Sequence, residues 1–66
     1  MTRLREFRQS RDLMLIELAF ATHIHPSQLS AIERRKLAAS VRVRTILCLF
    51  FGVSEDEAFD EGGLAV

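Results

Sequence analysis

Sixty-six residues, 48% of them hydrophobic, suit one small domain over residues 1–66 and exclude both a second core and a disordered tail. The single cysteine, Cys48, excludes an intrachain disulfide and fits a reducing, cytoplasmic location. Net charge is zero but segregated: residues 1–46 hold all nine bases against four acids, a net of +5, while the last twenty residues hold five acids and no base. Such asymmetry hints at a nucleic-acid face opposite an acidic end.

Residues 2–11 read as a first helix. Thr2 caps it, Leu4 and Phe7 share a side with the stems of Arg8 and Arg11, and Glu6 precedes those arginines as the helix dipole prefers. Asp12 breaks it, because Asp tolerates left-handed backbone. A second helix spans 15–22, with Leu15, Leu18, Ala19 and Thr22 on one face and Ile16 and Phe20 on another. A surface helix normally carries one apolar stripe, so the second points to a contact beyond the core, or to Phe20 folded over the domain edge. A third helix spans 26–34, opened by Pro26 at its first position and capped by His25 or Ser27. Leu29 and Ile32 point inward, leaving Ser27, Gln28, Ala31 and Arg34 on the surface.

Leu37-Ala38-Ala39 connects to a fourth helix over 40–51, capped by Ser40. Its apolar residues run nearly all round (Val41, Val43, Ile46, Leu47, Cys48, Leu49, Phe50, Phe51), which predicts burial on both sides. One side meets the core, the other the C-terminal segment or a second copy. Gly52 stops it. Ser54, with Glu57 at capping-box spacing, starts a fifth helix over 55–61 with Ala58 and Phe59 inward and Gly62-Gly63 at its end. Leu64-Ala65-Val66 is a short apolar tail, frayed or docked on a partner. The apolar run 45–53 is too short to span a bilayer and no signal peptide opens the chain, so no membrane is expected.

Two short helices about a tight turn are a device for placing the second in a DNA major groove. The marks in this all-α pattern are Leu4-Arg5-x-Phe7-Arg8, Leu18-Ala19, Ile24 after the turn, Leu29-Ser30-x-Ile32-Glu33-Arg34, and Phe51-Gly52-Val53-Ser54. With them, residues 4–59 resemble the phage-repressor-like (Cro/Xre-type) helix-turn-helix family, a compact five-helix lambda-repressor-like fold. The resemblance implies binding of double-stranded DNA, usually as a homodimer, usually to regulate transcription. The chain departs from the family pattern at Leu15, where glutamine is common, and at His23 and Arg35, where glycine is common. It departs again at Ala39 for proline and at Arg44 for an apolar residue. Leu15 and Ile16 favour a rival reading, a protein-interaction module on the same fold (antitoxin, anti-repressor or controller subunit) whose partner docks through Ile16 and Phe20.

With the third helix in the groove, Ser27, Gln28 and Ala31 face bases, with His25 at the edge. The Gln28 amide suits adenine, Ser27 a base edge or phosphate, and Ala31 a thymine methyl. Arg34, Arg35 and Lys36 are the phosphate candidates, and Arg42 and Arg44 extend the strip. Ile46, Leu49, Phe50, Phe59, Leu64 and Val66 supply a dimer surface, and two copies would read half-sites about 34 Å apart. Glu33 reads as structural, paired with Arg8 or Arg11. His23, His25 and Cys48 do not make a metal site, and Cys48 reads as a buried small hydrophobe. With no catalytic set and no glycine-rich phosphate loop, neither an enzyme nor a cofactor is expected.

Overall fold

Each helix begins where a side chain takes up amides that its first turn leaves unpaired. The computed structural model describes residues 1–66 and contains α1 (Arg3–Ser10), α2 (Leu15–Thr22), α3 (Pro26–Glu33), α4 (Val41–Phe51) and α5 (Glu55–Ala58). Thr2 Oγ1 accepts from the Arg5 amide, His25 Nδ1 from Ser27 and Ser40 Oγ from Val43. At α2 and α5 an acid reaches back instead. Glu17 accepts from the Met14 amide at 2.7 Å, and Glu57 accepts from the amide and hydroxyl of Ser54.

Helix ends follow a shared rule with an uncommon choice of residues. Asp12, His23, Arg35 and Gly52 all hold left-handed backbone, and only the last is glycine. After α1 and α3 the amide two beyond the cap reaches back to close the last turn, Leu13 to Arg8 and Lys36 to Ala31. A left-handed conformation disfavours most side chains by about 1–2 kcal/mol; Asp12 and His23 are of types that tolerate it, so Arg35 is the end most dependent on its surroundings.

Leu4, Leu18, Leu29, Ile32 and Leu47 are fully buried at the centre. Each such burial contributes about 2 kcal/mol, and the five come from α1, α2, α3 and α4, so the core ties these four helices together. Phe7, Phe50 and Phe51 stack at one end, with ring centroids 5.9 Å apart for Phe7–Phe51 and 5.0 Å for Phe50–Phe51. No helix is long and apolar enough to cross a membrane.

The C-terminal segment differs from expectation. The fifth helix stops at Ala58 rather than 61, and Phe59 is extended, forming an isolated antiparallel bridge with Ala65. Asp60 causes the change: its Oδ1 accepts from the amides of Gly62 and Leu64, folding 60–64 into a turn that sends the chain back. The tail is not frayed but docked on its own chain. The Gly63 carbonyl accepts from Ala39, the Val66 carbonyl from Arg3, and the Val66 amide donates to Ala58. The far side of α4 is consequently covered only in part, with Leu47, Cys48 and Phe51 buried and Val41 and Leu49 exposed.

Candidate nucleic-acid interface

α2 hands over to α3 through His23, Ile24 and His25. His23 makes the bend with φ 57°, and buried Ile24 pins it to the core. Leu29, Ile32 and Glu33 fill the inner side of α3. Ser27 and Arg34 are exposed on the outer side, and Gln28 and Ala31 are half-buried there. Ser27, Ala31 and Arg34 fall at i, i+4 and i+7, one continuous stripe. A helix about 10–12 Å across with its side chains fits a DNA major groove about 12 Å wide.

Donor and acceptor roles at the tip of α3 follow from its cap. A backbone amide only donates, so the Ser27 amide at 3.1 Å makes His25 Nδ1 an acceptor. The neutral ring then carries its proton on Nε2, a donor left free. Ser27 Oγ also lies 2.8 Å from Nδ1. With its hydroxyl proton turned there, Ser27 keeps lone pairs for an outside donor.

Glu33 is 4% exposed and accepts from Arg8 twice, Nε to Oε2 at 2.7 Å and Nη2 to Oε1 at 3.1 Å. The structural tie from α3 to α1 is thus made by Arg8. Arg11 instead donates to the Phe50 and Phe51 carbonyls and lies over both rings. Thr2 Oγ1 adds a bond to the Glu33 carbonyl at 2.6 Å.

Among the sequence-derived phosphate candidates, Arg34, Lys36 and Arg42 are exposed and form no ion pair. Arg34 spends only Nε, on the Ser30 carbonyl. Arg35 is a correction: its guanidinium turns toward the tail, donating to the Ala65 carbonyl at 3.0 Å and reaching the Asp60 carboxylate at 3.4 Å. The side chain stays about half exposed, 47%, but its guanidinium is engaged by the tail. Arg44 likewise leaves the strip, bonding the Ala39 carbonyl and Glu55. Arg5, to which local pattern assigned nothing, opens on the same cleft as Arg34 and Arg35.

Phe59 is the second correction. At 3% exposure it is buried in its own chain, beside the tail, and offers no dimer surface. Leu49 is 78% exposed, with Ile46 and Phe50 half-buried near it on α4. Leu64 is half-buried and Val66 exposed, though the backbones of both serve their own chain. Ile16 and Phe20 project from α2, Phe20 at 79% exposure, beside an open groove of about 470 Å³ that Ala19, His23, Ile24, His25 and Pro26 complete. Cys48 is buried in α4; burial first, then Glu55 and Glu57, push its thiol pKa up against the opposing pull of Arg44.

A family model described as helix-turn-helix matches residues 4–57 of the chain. No curated protein and no solved structure matches it.

Proposed function

The chain belongs to the Cro/Xre-type helix-turn-helix family, and on that premise we propose that it is a small transcriptional regulator binding double-stranded DNA sequence-specifically as a homodimer. α3 enters the major groove. The observation that carries the reading is the stripe Ser27–Ala31–Arg34, left open by the rest of the chain and flanked by Gln28. Gln28 pairs with adenine through both amide atoms, Ala31 meets a thymine methyl, and Ser27 and His25 contribute an acceptor and a donor at the tip. Arg34, Lys36 and Arg42 hold phosphates, which sets orientation and adds affinity independent of sequence. A second copy covers Leu49 together with Ile46 and Phe50; Leu64 and Val66 bring only side-chain edges to it. The single unpaired Cys48 suits a reducing compartment, and the cytoplasm is the location this reading carries.

Selection of bound sites from random duplexes at physiological salt tests the proposal. A two-fold symmetric consensus, with half-sites about one helical turn apart, is the expected result. No enrichment of any sequence refutes it.

The groove beside Phe20 favours a second reading, a protein partner docked on α2. Two substitutions separate the readings. Arg34→Ala lowers DNA retention and leaves partner capture intact, whereas Phe20→Glu abolishes capture and spares DNA.

A further inference from the structure

The first turn of α1 and the last turn of α3 enclose a cleft of about 400 Å³ whose lining includes Thr2, Arg5, Glu33, Arg34 and Arg35. Its charges are unequally satisfied. Both Glu33 oxygens are taken by Arg8, and Arg35 is held by Ala65 and Asp60. Arg5 makes no side-chain hydrogen bond and no ion pair, and both Nη groups of Arg34 are free. Met1 and Val66 complete the lining, and the two guanidinium groups of Arg5 and Arg34 border the cleft without an ion pair to any carboxylate.

Their relative position is built in. Thr2 Oγ1 accepts from the Arg5 amide and donates to the Glu33 carbonyl, tying the start of α1 to the residue before Arg34. Arg34 also ends the stripe that begins at Ser27. When the tip of α3 lies among base edges, its far end, about 10 Å along the axis, has risen out of a groove about 8.5 Å deep to the level of the phosphates.

We propose that Arg5 and Arg34 together clamp one backbone phosphate of the DNA at the edge of the groove that α3 occupies. The inference rests on the DNA-binding reading and extends the interface to α1. Guanidinium forks match phosphate oxygens two at a time, which a single ammonium does not. The contact adds affinity without sequence preference and fixes how deeply α3 sits.

The test is the salt dependence of duplex binding for the wild type, R5A, R5K, R34A and the double variant. Arg5 is exposed, so R5A leaves the fold intact. Each phosphate contact contributes about 0.9 to the slope of log affinity against log salt. Because Arg34 still holds the shared phosphate, R5A is expected to lower affinity with only a fraction of that change in slope, whereas the double variant loses all of it and so gives up about 3.5-fold less affinity than the wild type between about 50 and 200 mM salt. The loss is equal for specific and unrelated duplexes. R5K restores most of the affinity, and the double variant falls one phosphate's worth in slope, not two. R5A affinity equal to that of the wild type, or a double variant that loses two phosphates' worth of slope, overturns the clamp and leaves the functional reading standing. Inorganic phosphate, titrated at constant ionic strength against the arginine Nε–H resonances, separates the sources. Arg5 and Arg34 shifting with duplex and more weakly with phosphate supports the proposal. Shifts with phosphate while the wild type retains no duplex overturn the DNA assignment, and no shift with either overturns the cleft itself.

Discussion

Replacing Glu33 with glutamine removes a negative charge from a site where both its oxygens are engaged. Arg8 donates to Oε2 at 2.7 Å and to Oε1 at 3.1 Å, and the pair's side chains are only 12% and 4% exposed. The substituted side chain would keep one acceptor but set an amide donor against a guanidinium donor, losing one bond outright. Removing one partner of a buried pair costs about 3–5 kcal/mol. Arg8 retains some water and a bond to the Leu13 carbonyl, so about 3 kcal/mol, the lower end, is expected. A chain of this length is stable by about 3–10 kcal/mol in all, and each kcal/mol shifts the midpoint of a small domain by about 4–8 °C. Thermal and urea melts followed by circular dichroism should therefore place Glu33→Gln about 12–24 °C below the wild type. DNA affinity per folded molecule should change little, since the carboxylate faces inward. The pair Arg8→Met with Glu33→Leu should lie closer to the wild type than either single change, because no charge is then left unpaired. A Glu33→Gln melt within about 0.5 kcal/mol of the wild type, or singles that simply add in the double, would refute the reasoning.

Three further outcomes follow from the structure. Gly63→Ala should destabilise by about 2–3 kcal/mol and loosen the tail, the upper range for backbone and packing clashes; its Cβ would lie 2.5 Å from Arg44 Nη1 and 2.7 Å from the Ala39 carbonyl at φ +87°. Unchanged amide exchange at Ala39 in that variant would count against it. His23→Gly should raise stability by about 0.5–1 kcal/mol, the left-handed penalty less the extra chain entropy of glycine; a lower urea midpoint would contradict this. Cys48 holds its proton more tightly in the folded chain than its ordinary value of 9.0. Its contribution is whole below that value and declines as pH rises through it. The wild type should lose stability faster than Cys48→Ala across the alkaline range, and parallel losses would dismiss the thiol as the cause.

The helix starts were legible because a cap lies within three residues of the amide it serves. Thr2, Pro26, Ser40 and the pair Ser54 and Glu57 all acted at their expected places. That Glu33 needs an arginine was legible too, although choosing Arg8 over Arg11 required the packing angle of α1 against α3. Long-range ties were hidden. Nothing near Arg35 announces Asp60, which lies 25 residues away, so three adjacent bases read as one outward strip. The departure from glycine at 35 was the available signal, since a side chain kept in left-handed backbone needs something to hold it. Phe59 looked helical because the start of α5 is strong and short-range. The turn at Asp60 and the pairing with Ala65 outweighed it. On α4 an apolar run leaves no periodicity to read, so Leu49 and Phe51 differ in sequence context far less than in exposure.

The seam between Arg3 and Val66, closed by a hydrogen bond of 2.6 Å, makes this domain a ring in all but covalent bond. Joining residue 66 to residue 1 through a few glycines would leave the native backbone nearly undisturbed while denying the denatured chain much of its freedom, worth up to about 4 kcal/mol by loop-closure entropy. Such a ring could then be reopened at the exposed bend around Asp12. That rearranged chain would begin with α2 and α3 and carry α1 last, a direct way to ask whether the order of the helices, or only their arrangement in space, matters for grasping DNA.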